Sequence, residues 1–166
     1  RRGVRPQQKL NPREGLSLFD MHVRAKKHLG QHFLRDLDAA RRIAEGITKH
    51  TGCTDVLEVG PGTGALTRPL LQRGDLHVKA VELDHESVEF LTTQGVLEKE
   101  DVFGVDLLKW NPDEAYPGGA PFIVAGNFPY NISSQILFRV LDWRDRVPEC
   151  VGMFQKEVAE RVAEGP

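Results

Sequence analysis

Apolar positions along this chain fall into two alternating rhythms. In "DLDAARRIAEGITKH", Leu37, Ala40, Ile43, Ala44 and Ile47 recur at helical spacing, and Asp36 stands where an N-cap belongs. The spacing predicts an amphipathic helix packed on something. "DVLEVG" is a short apolar run ending in glycine and predicts a buried strand. A Gly-rich turn and a helix through "ALTRPLLQRG" follow, with Pro69 near the first turn, where it is tolerated. "HVKAVELD" predicts a second strand, "HESVEFLTTQ" a second such helix, and "DVFGVD" a short third strand. "PFIVAGN" is a fourth strand, "SSQILFRVLDW" a helix opened by Ser133, and "ECVGMFQ" a fifth strand before a last helix in "KEVAERV". No internal repeat or low-complexity tract interrupts the alternation. Strands alternating with helices imply an α/β fold, a mostly parallel sheet with helices on both faces. Ligands in such sheets bind beyond the C-terminal ends of the strands, so the residues there are the ones to read.

Composition narrows the setting. At 166 residues and 40% hydrophobic, the chain is of single-domain size. No apolar run approaches the roughly 20 residues that span a bilayer, and the basic, proline-bearing start does not read as a secretory signal. A soluble, cytoplasmic protein is the expectation, with no membrane partner. Cys53 and Cys150 lie far apart without metal-ligand spacing and read as small apolar residues. Residues 1–50 carry 12 Lys/Arg against 5 Asp/Glu, while 51–166 carry 10 against 19. A polyanion would meet the N-terminal part. Residues 1–20 read as a flexible basic leader, and Met21 begins a denser stretch, so 21–166 is the expected domain. Arg24, Lys26 and Lys27 are candidate phosphate contacts on charge clustering alone; the alternative is a solvated basic stretch.

Four strand ends carry candidate chemistry. After the first come Gly60-Pro61-Gly62-Thr63-Gly64, where glycines let the backbone turn sharply and approach a ligand. "GPGTGA" also satisfies the dinucleotide pattern, so NAD remains a rival at this point. After the second strand comes Glu82, a carboxylate able to accept from both hydroxyls of a ribose in either class of site. Asp106, after the third, is either an acceptor for an adenine amine or a helix cap. The fourth strand end distinguishes the classes, because it delivers Asn127-Phe128-Pro129-Tyr130. Adenine's exocyclic amine is a poor nucleophile, its lone pair delocalised into the ring. The Asn127 side-chain oxygen and the Phe128 carbonyl supply acceptors for its two hydrogens, Pro129 fixes the loop, and Tyr130 offers a flat face to an extruded base. Hydride transfer has no evident use for this tetrad.

"KKHLGQHFL", "VLEVGPGTGALT", "VELD", "GVDLL", "GNFPYNIS" and "GMFQKEVAERV" stand in the order and spacing of the ribosomal RNA adenine dimethyltransferase family, and the chain resembles its KsgA-like branch from about residue 24 to residue 163. The resemblance implies a Rossmann-like fold that transfers two methyl groups from S-adenosylmethionine to the amine of each of two adjacent adenosines in small-subunit ribosomal RNA, late in subunit assembly. It places His32 and Leu34 at the methionine end of the cofactor, Gly60 and Gly62 against its backbone, Glu82 on the ribose, Asp106 on the adenine, and Asn127 on both cofactor and target. No metal is implied. The transfer it implies is an in-line displacement whose rate comes from positioning. His32 departs from the asparagine of many members and would make cofactor affinity pH-dependent near neutrality.

The family continues with two further strands and a small helical domain, whereas this sequence stops at Gly165-Pro166. The expectation is therefore a sheet truncated before its last two strands, its fifth strand an open edge. Two alternatives stay in play beside NAD. One is the large-subunit dimethyltransferase of the macrolide-resistance type, and the other a non-catalytic RNA-binding assembly factor.

Overall fold

The computed structural model describes Lys26 and residues 34–164. The leader, Arg24, Lys27 and His32 lie outside the described residues. Five parallel strands form one sheet in the order β3-β2-β1-β4-β5. They are β1 (Asp55–Val59), β2 (His77–Val81), β3 (Val102–Phe103), β4 (Ile123–Asn127) and β5 (Cys150–Met153). The helices are α1 (Leu37–Glu45), α2 (Thr67–Gln72), α3 (His85–Thr93), α4 (Ser133–Asp142) and α5 (Lys156–Ala163). The expected alternation is observed, and among the described residues β5 pairs on one side alone, with β4.

Asp36 starts α1 as expected, its carboxylate accepting from the amides of Asp38 and Ala39, both at 3.0 Å. Leu37 departs from the pattern: it is the first helical residue and stands 61% exposed. Ile47 lies beyond the helix yet is buried, because the turn after Gly46 brings it back onto the sheet. Ser133 is the first residue of α4 rather than its cap, and its hydroxyl donates to the Tyr130 carbonyl at 3.4 Å.

Strand residues alternate between two apolar layers, as the pleat requires. Val56, Val78, Ala80, Ile123 and Ala125 face Ile43, Ala44, Leu66 and Leu70 from the α1 and α2 side. Leu57, Val59, Val81 and Val124 face Ile136, Trp143 and a loop-borne aromatic group on the other. Most of that group comes from residues 107–120, between the predicted third and fourth strands, for which the hydrophobic pattern predicts no packing element. Tyr116 stacks on Phe122 at 4.6 Å, and Trp110 meets Trp143 edge-on at 6.2 Å. Arg146 ties it down, donating to the carbonyls of Tyr116 and Ala120.

Glu149 joins the turn after α1 to the start of β5. Its carboxylate accepts from the Thr48 amide at 2.9 Å, the Thr48 hydroxyl at 2.9 Å and the His50 amide at 3.0 Å. Burial alone would raise its pKa, but these donors outweigh it and hold the group at about 2. Stability from this carboxylate is therefore present above the ordinary carboxylate range and lost as pH falls toward 2. Glu149→Gln is expected to lower the urea midpoint at neutral pH, with the difference from wild type shrinking as acid protonates the native group. A difference constant across that range would refute this assignment.

Candidate active site

Register brings the strand ends to one level. Val59 of β1 pairs with Val81 of β2 and Gly126 of β4, so Gly60, Glu82 and Asn127 emerge side by side. Between β1 and β4 the strand order reverses direction, which leaves a crevice above the sheet. The crevice holds about 890 Å³ of space, part of it open to solvent, and Leu34, Gly60, Gly62, Glu82, Asp106 and Asn127 all line it. Arg24, Lys27 and His32 cannot be placed in it, since they lie outside the described residues.

The glycine turn reaches the crevice by left-handed backbone: Gly60, Gly62 and Gly64 have φ of 66°, 55° and 80°. At Gly64 a side chain would also meet Val96 at 3.1 Å and Leu91 at 3.2 Å. Helix α2 begins at Thr67, after Ala65 and Leu66, so the amides nearest the crevice belong to the turn rather than to the helix.

Glu82 is 5% exposed, and its carboxylate is held by the backbone on both sides. Oε2 accepts from the Gly62 amide at 3.0 Å and Oε1 from the Asp84 amide at 2.9 Å. The Glu82 amide in turn donates to the Phe103 carbonyl at 3.0 Å, carrying the β2–β3 ladder one residue further. Burial raises its pKa, the Asp84 charge adds to the rise, and the two amides oppose it. Each oxygen keeps a further acceptor site, which suits a pair of hydroxyls.

Asp106 is half-buried: its Oδ1 accepts from the Leu108 amide at 3.0 Å, closing a turn rather than capping a helix, and the residue lines the crevice. Glu58 is a crevice residue that the sequence reading passed over. It is 1% exposed, and burial pushes its pKa up to about 8, with the Thr67 hydroxyl opposing and the Glu82 charge adding. At neutral pH it is mostly a neutral acid, and its Oε2 has no hydrogen-bond partner. The signal for it was an acid inside an otherwise apolar strand.

The tetrad is anchored from beneath. Asn127 ends β4, and the Phe128 amide donates to the Met153 carbonyl at 3.1 Å. The Phe128 ring is buried and stacks on Phe154 at 4.5 Å. Pro129 lies against Gly60, and Tyr130, 39% exposed, stands in a 3₁₀ turn through Ile132. Tyr130 thus keeps a face toward solvent. Lys26, expected among phosphate contacts, is instead ion-paired with Asp84 and Glu86 at the start of α3.

The family model for ribosomal RNA adenine dimethylase matches residues 22–166. A Cytophaga hutchinsonii protein named ribosomal RNA small subunit methyltransferase A is 52% identical over 141 residues, 85% of this chain and 54% of that protein. Its namesake in Flavobacterium johnsoniae is 49% identical over 142 residues, 86% of this chain and 53% of that protein. The chain spans about half the length of these curated relatives. Among solved structures, a Pyrococcus horikoshii protein described as a candidate RNA methyltransferase matches with a TM-score of 0.59 at 22% identity, over 85% of this chain and 72% of that one. At that identity the likeness shows the fold. Among the described residues no group of three or more His, Cys, Asp or Glu is arranged to hold a metal.

The tetrad's position depends on two glycines. A Cβ at Gly152 would stand 2.2 Å from the Gly126 carbonyl oxygen and 2.3 Å from the Phe128 ring. Gly152→Ala is therefore expected to cost about 1–3 kcal/mol in urea unfolding and to displace Phe128. Gly104→Ala, whose nearest neighbour would be Val88 at 3.7 Å, serves as the contrast and should be near neutral. Equal stability of the two variants would contradict this packing.

Proposed function

Because the chain belongs to the ribosomal RNA adenine dimethylase family, we propose that it acts as an S-adenosylmethionine-dependent methyltransferase on adenosine amines of small-subunit ribosomal RNA. The observation that carries this reading is the meeting of a ribose-type carboxylate, Glu82, with Asn127, Phe128 and Pro129 of the tetrad at one crevice, Tyr130 following directly on them in the chain. The names of the relatives support the small subunit over the large one. The tetrad beside the glycine turn favours a methyl-transfer site over a nicotinamide site. In this reading the enzyme works in the cytoplasm, where its RNA is. Among the described residues, no helix is long and apolar enough to cross a membrane.

The residues present fit the cofactor. Glu82 is buried, backbone-held and retains acceptor sites for two ribose hydroxyls. Asp106 offers its remaining oxygen to an adenine amine, while Gly60 and Gly62 leave room for close approach. Leu34 lines the apolar side of the crevice. When bound, the cofactor supplies an electrophilic methyl group on a sulfonium sulfur.

The chain's own contribution is placement. Asn127 Oδ1 and the Phe128 carbonyl accept from the two hydrogens of the target amine, drawing its nitrogen toward tetrahedral geometry and freeing the lone pair. Tyr130 stacks on the extruded base, and Pro129, resting on Gly60, couples the target loop to the cofactor turn. The proton leaves to water after transfer, so no strong base is needed. Two successive rounds on each of two adjacent adenosines complete the reaction.

Calorimetric titration with S-adenosylmethionine, with NAD as control, tests the reading. Saturable binding of the first alone is expected, and Glu82→Ala should weaken it by about one to two orders of magnitude. Asn127→Ala should fold normally and lose about 100-fold or more in methyl incorporation into small-subunit RNA. Binding of NAD alone, or near-normal turnover by the Asn127 variant, would overturn the proposal. Cofactor binding by the wild-type chain with no transfer to RNA would leave the assembly-factor reading in its place.

A further inference from the structure

Lys26 does not stand alone at the crevice rim. Its ammonium meets the Asp84 carboxylate, whose side chain is 2% exposed, and reaches Glu86 at 3.2 Å. Asp84 in turn is tied to two things at once. Its Oδ2 accepts from the Ser87 hydroxyl at 2.9 Å and the Ser87 amide at 3.3 Å, which caps α3. Its amide donates to Glu82 Oε1 at 2.9 Å. An unbroken path of polar contacts therefore runs from Lys26 through Asp84 to the carboxylate at the end of β2.

The path matters because the acids here are crowded. Glu82 shares its surroundings with Asp84 on the same loop, Glu58 on β1, Asp106 beyond β3 and Glu86 on α3. Two buried carboxylates two residues apart repel each other and resist ionising together. Lys26 brings a full positive charge to the more buried of the two.

We propose that Lys26 is a positioning residue for the ribose of the cofactor: by neutralising and fixing Asp84, it keeps the Glu82 carboxylate ionised and correctly aimed. The inference rests on the reading of the crevice as an S-adenosylmethionine site. It gives Lys26 a task in cofactor binding that needs no RNA, unlike the phosphate contact expected from charge clustering.

The sign follows from the environment. Burial and the Asp84 charge already raise the pKa of Glu82, so affinity falls as pH drops through that value. Without the Lys26 charge Asp84 weighs more heavily on Glu82, the pKa rises further, and the loss of affinity begins at higher pH.

The test uses the full 166-residue chain, S-adenosylmethionine without RNA, and calorimetric affinity measured across pH. Wild type, Lys26→Met, Lys26→Arg and the double variant Lys26→Met with Asp84→Asn are compared. His32 is common to all four, so its titration cancels in the comparison. Lys26→Met is expected to bind about three- to ten-fold more weakly near neutrality, with its acid limb displaced to higher pH. Arginine should restore both. Removing the Asp84 charge in the double variant should return the acid limb toward wild type, which a merely structural loss would not do. Unchanged affinity and acid limb in Lys26→Met would overturn the inference, as would a loss that neither arginine nor the double variant relieves. Wild type that fails to bind S-adenosylmethionine would overturn the cofactor reading itself, and this inference with it.

Discussion

Everything at the crevice depends on β1 being paired in register on both sides. Parallel strands have evenly spaced, slanted hydrogen bonds, and their side chains alternate with period two. A slip of one residue between β1 and β2 would turn every β2 side chain to the opposite layer. Val78 and Ala80 would leave the α1 and α2 layer, and Glu82 would no longer stand level with Gly60. Apolar burial thus enforces the register, and the register assembles the site. The Gly62 and Asp84 amides then fix Glu82 more finely than packing could.

The crevice separates two acids by environment. Glu58, pointing into the sheet interior with one oxygen unpartnered, is pushed toward the neutral form. Glu82, one strand over, is offered two backbone donors and a neighbour whose own charge is met by Lys26. Keeping one of two neighbouring carboxylates neutral is electrostatically cheaper than ionising both. Lys26, which sequence marks only as one of several basic residues, is paired by the fold with Asp84 and Glu86.

The tetrad depends on strand β5, none of whose residues lines the crevice. Phe128 lies flat because Gly126 and Gly152 have no side chains, and Phe154 covers it from beyond β5. The Phe128 amide bonded to Met153 completes the attachment. The Asn127–Tyr130 loop is consequently braced by the sheet rather than held by its own turn alone. Pro129 against Gly60 links that brace to the glycine turn.

The sequence by itself determined the order of elements, the parallel sheet and the identity of the strand-end residues. Those follow from local periodicity, from Asp36 and glycine as punctuation, and from motif spacing, all of which act over a few residues. Only the tertiary structure decided where Leu37 and Ile47 stand relative to the core, that the 107–120 loop packs an aromatic layer through Trp110 and Tyr116, and that the Phe128 ring is an anchor. It also decided the partner of Lys26, 58 residues away in Asp84, and the isolation of Glu58. The physical reason is the same in each case. Burial and ion pairing are set by whichever groups the folded chain brings within a few ångströms, and no local pattern records those neighbours.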